Sequence, residues 1–380
     1  SVTFVGWMKD MPAEAWEKGR SVEILRNNIF MDKQESFGAA MDSTGRFSVR
    51  VPLVNTSEIY IDIGRKGINT VVEPGETYFL LHDFSTGHVL FMGEDVRLQN
   101  ELQTHPPLYV DGYLRKGQGT VDEFRIQMEE KYRHAVEELS RRVEEHPNLS
   151  RRYRYYMESF ALTGLGRSMM QARFVVPDWQ LPEDYVDFVR TKVWQRPSKP
   201  YTLCQNFGIL MRDYIGHFSE AKDKARGNAV FNAFKRLRQQ GEISMTEEEA
   251  NTVEAYQLAV RELQEKLNAE PSDSLRQRMV VELGKSELSQ RFMSLVTRFE
   301  DVLNEEILID NIDFWKEDAE SVGCDSILCQ IHLARKLYGL IDNMRKPLPD
   351  RMMAKAEWGI RLEGGWDIVS REQELSLIHI

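Results

Sequence analysis

The hydrophobic period of the chain changes once, near residue 95, and that change limits the folds open to it. Before it, apolar residues alternate with polar ones or form short runs bounded by turn residues, as half-buried strands do. After it, they recur every three or four residues, as on amphipathic helices. The expected fold class is α+β, with a β-rich N-terminal domain over residues 1–95 and a larger α-helical domain over 96–374.

In the first part, residues 2–7, 22–31, 36–41, 46–53, 59–63, 69–72, 77–81 and 89–92 read as strands. Asp42-Ser43-Thr44-Gly45 suits a bulged hairpin turn, with Asp opening the turn and Gly in the left-handed position. Glu73-Pro74-Gly75-Glu76 has the form of a type II turn: Pro presets φ, and Gly supplies the positive φ that follows. Short strands at this spacing point to an antiparallel β-sandwich or barrel-like domain.

In the second part, Thr120-Val121-Asp122-Glu123 and Thr246-Glu247-Glu248-Glu249 read as capping boxes. The first opens the stripe Val121, Phe124, Met128, Ala135, Leu139, Val143, and the second opens Val253, Tyr256, Val260, Leu263, Leu267. A third stripe runs Ile327, Ile331, Ala334, Leu337, Ile341. Each is expected to pack into the helical domain.

Composition narrows the function classes. The chain has 380 residues and a formal net charge of -11, which disfavours nucleic acid as a partner. No uncharged apolar run approaches the roughly 18 residues a membrane helix needs. No His-Glu-x-x-His, phosphate-binding loop, Gly-x-Ser-x-Gly or EF-hand loop occurs. Gly164-Leu165-Gly166 lacks the rest of a dinucleotide fingerprint and falls within a helical pattern. His82, His88 and Asp83 could hold a metal if they met across a hairpin; the simpler expectation is a metal-free surface or loop location. Arg151-Arg152-Tyr153-Arg154-Tyr155-Tyr156 could stack bases, but on a helix Tyr153, Tyr156 and Phe160 share a face that can turn inward. The acidic pairs Asp83 with Asp95 and Glu363 with Asp367 would need a shared cleft for acid–base work. The sequence nominates no catalytic, cofactor-binding or metal-ligating residue, and no cofactor.

Three cysteines, Cys204, Cys324 and Cys329, are too few for a disulfide framework, and none forms a Cys-x-x-Cys. If Cys324 and Cys329 both lie in one helix, they point roughly 140° apart, too far to bridge. If Gly323 and Cys324 precede the helix, that constraint weakens. The expectation is buried, inert thiols.

A more specific pattern runs through the β part. It comprises Ser36-Phe37-Gly38, Met41-Asp42-Ser43-Thr44-Gly45-Arg46-Phe47, Val51-Pro52-Leu53, Val72-Glu73-Pro74-Gly75-Glu76-Thr77-Tyr78-Phe79-Leu80-Leu81, Leu90-Phe91-Met92-Gly93 and Arg97-Leu98-Gln99-Asn100-Glu101-Leu102. Together these resemble the N-terminal β domain of TlpA-like thiol–disulfide oxidoreductases of Gram-negative anaerobes. The helical segment resembles the spacer that follows it. The resemblance implies an exported, periplasmic protein, anchored to the membrane through a lipoprotein signal. It also implies protein partners or substrate proteins, and a role in positioning, homodimerisation or substrate presentation.

The family's chemistry sits in a C-terminal thioredoxin domain with a Trp-Cys-x-x-Cys motif. No position here matches it, so no catalytic residue carries over. A stand-alone cell-envelope binding or scaffold protein is the alternative reading. Finally, Leu375-Ser376-Leu377-Ile378-His379-Ile380 follows an acidic stretch without a cap or turn and resembles a translated sequencing adapter. Residues 375–380 are expected to be a non-native tail.

Overall fold

The computed structural model describes residues 1–344 apart from 19, 64–66, 178–179 and 196–201. Glu363, Asp367 and the 375–380 tail lie outside the described residues, as does the 345–374 part of the expected helical segment.

The described residues of the β part form strands β1 (Val2–Lys9), β2 (Ser21–Asn28), β3 (Lys33–Ala40), β4 (Arg46–Val51), β5 (Ser57–Asp62), β6 (Gly67–Val72), β7 (Thr77–Asp83) and β8 (His88–Met92). They make two four-stranded sheets, ordered β4-β1-β7-β8 and β3-β2-β5-β6. The pairing is antiparallel except between β1 and β7, which run parallel from Thr3↔Thr77 to Lys9↔Asp83. The two inner faces share one core, with Phe4, Ile24, Phe47, Ile61, Tyr78 and Phe91 among its side chains. Each such side chain contributes about 1.5–3 kcal/mol on burial. The Phe47 ring fills the space that a side chain at Gly6 would need, so a larger residue there would have to displace that buried ring.

The turns form by the local chemistry their residues carry. Asp42 Oδ1 accepts the backbone N–H of Thr44 at 2.8 Å and of Arg46 at 3.0 Å, and Gly45 takes φ 82°. Gly75 takes φ 94°, and its N–H donates to the Ser1 carbonyl at 2.7 Å.

Helices α1 (Ala13–Lys18), α2 (Arg97–Thr104), α3 (Val121–Glu145), α4 (Arg151–Gln171), α5 (Glu183–Val189) and α6 (Gln205–Arg226) come next in chain order, α1 lying between β1 and β2. They are followed by α7 (Ala229–Gln240), α8 (Glu247–Ala269), α9 (Asp273–Lys285), α10 (Glu287–Arg298), α11 (Glu300–Ser321) and α12 (Ser326–Met344). Both capping boxes are present: Thr120 with Glu123 opens α3, and Thr246 with Glu249 opens α8. Among the described residues, no helix is long and apolar enough to cross a membrane.

The change of period near residue 95 marks the start of α2. That helix is tied to both sheets. Gln99 Nε2 donates to the Val71 carbonyl of β6 at 2.7 Å. The Asn100 amide binds the backbone N–H and C=O of Phe91 in β8, both at 2.9 Å. The chain divides into compact units between Phe218 and Ser219, within α6. Sheets and helices α1–α5 belong to the first unit. The second is built on a core that includes Phe231, Phe234, Leu237, Phe292, Leu295 and Leu303. In it, Arg226 and Arg236 both bind the Asp310 carboxylate, and Arg236 also binds Glu306 at 2.7 Å.

Candidate functional site

The two sheets treat their outer faces differently. On the β3-β2-β5-β6 sheet, Val71 and Glu58 point away from the sandwich core and are nevertheless buried, because helices cover them. Val71 packs with Leu98, Leu102, Tyr156 and Leu203. Glu58 lies under the start of α6. Its carboxylate accepts the Gln205 N–H at 3.0 Å, and its own N–H donates to the Leu203 carbonyl at 3.0 Å. The Tyr156 hydroxyl adjoins it. Burial pushes the Glu58 carboxyl up to about 7, against the hydrogen bond from the Gln205 N–H and the adjoining Tyr156 hydroxyl, which favour the anion. Sequence alternation hides this group, since Ile59 and Ile61 face the core and leave Glu58 reading as a solvent-facing residue. Beside it, a cavity of about 180 Å³ is lined by Asn27, Asn28, Cys204, Gln205 and Arg212 among others. The Arg212 guanidinium there pairs with Asp32 at 3.5 Å.

The outer face of the β4-β1-β7-β8 sheet is apolar and open. Cross-strand register sets Ser48, Val5, Phe79 and Met92 in one row, and Arg46, Trp7, Leu81 and Leu90 in the next. Exposure is 37% for Val5, 36% for Trp7, 47% for Phe79, 43% for Leu90 and 44% for Met92, so the three strands carry one continuous apolar grid. Polar residues frame it. Arg50, Thr3 and Thr77 line one side, and Lys9, Asp83 and His88 line the other, with Lys9 Nζ 2.7 Å from Asp83. The Arg46 guanidinium lies 5.0 Å from the centroid of the Trp7 ring, and Trp7 Nε1 donates to the Thr44 carbonyl at 3.0 Å, which fixes the indole. An apolar centre with Trp, Phe and Met inside a polar rim is the anatomy of a protein interface. The signal was present in the sequence: β1, β7 and β8 are apolar on both faces, whereas β4 alternates strictly.

His82 is buried and stacks on Phe84 at 4.2 Å, while His88 is exposed one pair further along the hairpin, so the two do not converge. The hydrogen bond from Lys9, with further ones from Ser85, holds Asp83 well below the usual carboxylate range. Asp95 pairs instead with Arg152 at 2.7 Å, so Asp83 and Asp95 each have their own cation. Among the described residues, no group of three or more His, Cys, Asp or Glu side chains could hold a metal ion. Tyr153, Tyr156 and Phe160 turn inward from α4, and Arg152 and Arg154 bind Asp95 and the Pro147 carbonyl. Gly164 and Gly166 let α4 be approached closely: a Cβ on the first would sit 3.1 Å from the Val110 carbonyl of the segment between α2 and α3, and on the second 2.7 Å from Val193.

The single-helix geometry for Cys324 and Cys329 does not hold. Gly323 at φ 81° closes α11, and Asp325 caps α12 by accepting the Leu328 N–H at 3.0 Å, so Cys324 precedes the helix. Cys329 Sγ then approaches the Cys324 carbonyl at 3.7 Å. The hydrogen bond with Cys329, together with burial, pushes the Cys324 thiol well up. Burial, with the nearby Glu58 carboxylate, does the same to Cys204. Both shifts oppose the thiolate that a nucleophile needs.

Compared with known proteins, the chain matches no family model, no curated protein and no solved structure.

Proposed function

We propose that this chain is the non-catalytic front of a periplasmic, membrane-anchored TlpA-like thiol–disulfide oxidoreductase, and that it holds and presents protein partners to a reductase domain. The motifs between residues 36 and 102 support the family reading. The observation that carries the partner-holding role is the framed apolar grid of Val5, Trp7, Phe79, Leu81, Leu90 and Met92, because a sheet face of this kind is stabilised when another protein covers it. The same face also suits the second reading, a stand-alone cell-envelope scaffold.

Thiol chemistry gives the test. The neutral, buried Cys204 and the hydrogen-bonded Cys324 thiol are poor attacking groups at neutral pH. In an insulin-reduction assay with dithiothreitol, the chain should add nothing to the reagent's own rate. Turnover above that rate, abolished by Cys324→Ser or Cys329→Ser, would contradict the non-catalytic reading.

A further inference from the structure

We infer that the outer face of the β4-β1-β7-β8 sheet is a self-association surface, and that its occupant is the same face of a second copy of this chain. The inference deepens the scaffold reading above by naming one partner.

Three features lead to a second copy. The first is area. Five large apolar side chains, each open by about a third to a half, with the half-buried Leu81 among them, present on the order of 400 Å² together. Two such faces, joined by their polar frames, reach the roughly 1,000–1,200 Å² at which specific association begins. The second is shape. A flat, twisted four-stranded face is complementary to another sheet packed in alignment about 10 Å away.

The third is charge, which selects the symmetry. A two-fold axis across the strands would lay β4 on the partner's β4 running the opposite way and bring the Arg46 and Arg50 pair against the partner's same pair. An axis along the strands avoids this. Passing along β7, at the centre of the apolar grid, it sets Phe79 and Leu81 against themselves and lays Val5 and Trp7 over the partner's β8. Asp83 also meets its own copy, but each is neutralised by its Lys9 at 2.7 Å, whereas among the described residues the β4 arginines have no such partner carboxylate on this face. The contact is isologous and closed, so it stops at a dimer.

The test uses the full chain. Sedimentation velocity over about 1–100 µM should show a dimer, in the affinity range of a small interface. The double variant Phe79→Glu, Leu90→Glu should weaken association at least tenfold, with unchanged far-UV circular dichroism. Because Phe79 meets its own copy across the roughly 10 Å between the two faces, Phe79→Cys should be joined into a covalent dimer by a bis-maleimide of about that span. Lys33→Cys, on the exposed β3 edge of the other sheet, should not. The cysteine pair keeps the inference falsifiable if the double variant does not fold. A monomer throughout the range would overturn it, as would a dimer untouched by the glutamates, or cross-linking at Lys33→Cys and not at Phe79→Cys. So would a monomer that floats with neutral phosphatidylcholine vesicles and loses this in Phe79→Glu, since that would assign the face to lipid. None of these results bears on insulin reduction, so the dimer can fail while the non-catalytic reading stands.

Discussion

Glu58→Gln makes the protein more stable relative to the parent as pH rises, and the gain saturates near pH 7. In the folded chain the Glu58 carboxyl titrates at about 7, against an ordinary 4.5. Between these values the folded state holds a proton that the unfolded state has released, so stability falls as pH rises. This group's contribution is fully present below about pH 4.5 and is lost as pH passes 7. The interval from 4.5 to about 7, at about 1.4 kcal/mol per tenfold change in proton affinity, comes to an order of 3 kcal/mol. Glutamine keeps an oxygen for the Gln205 N–H, presents its NH₂ to the Tyr156 hydroxyl and does not titrate. Urea unfolding of parent and variant between pH 4 and 8 should therefore show a stability difference that grows in the variant's favour by that order. A difference independent of pH would mean that Glu58 is not buried as described.

Phe292→Ala should cost about 3–5 kcal/mol, the range for removing a buried phenylalanine ring. Phe292 of α10 is buried and stacks on Tyr256 of α8 with ring centroids 4.3 Å apart. The α7 rings of Phe231 and Phe234 lie at 5.4 Å and 6.0 Å. One side chain thus joins three helices, and its loss removes ring–ring contacts as well as buried area. Leu258 on α8, 54% exposed, is the control, and Leu258→Ala should change stability by less than about 0.5 kcal/mol. Hydrogen exchange should speed up first in α7, α8 and α10. A loss below about 1 kcal/mol would contradict the packing of this core.

Local chemistry made part of the fold legible. The two Thr-x-x-Glu boxes, the Asp42–Gly45 turn and the Pro74-Gly75 turn each depend on residues within four positions of one another, and each forms, although the Asp42–Gly45 turn links β3 and β4 of different sheets and not the paired strands of a hairpin. Long-range features were not legible. The parallel pairing of β1 with β7 joins residues more than seventy positions apart, and no local pattern encodes it. Glu58 reads as solvent-facing until α4 and α6 are laid over its strand. Cys324 leaves the helix because Gly323 adopts a left-handed φ and Asp325 caps the next one, a one-residue difference that periodicity does not resolve. The apolar grid lies between these cases. The double-faced apolar pattern of β1, β7 and β8 was readable, but only the register shows that their outer residues form one surface.

The proposal that this chain is the front of a thiol–disulfide oxidoreductase is tested most directly by sequencing the genomic locus through and beyond the codons for residues 375–380. The account predicts native codons that diverge from the adapter sequence at this hexapeptide. The native frame should continue to a Trp-Cys-x-x-Cys within about 150 residues, one domain length. Native codons for Leu375-Ser376-Leu377-Ile378-His379-Ile380 followed directly by a stop would contradict it and favour the stand-alone envelope scaffold.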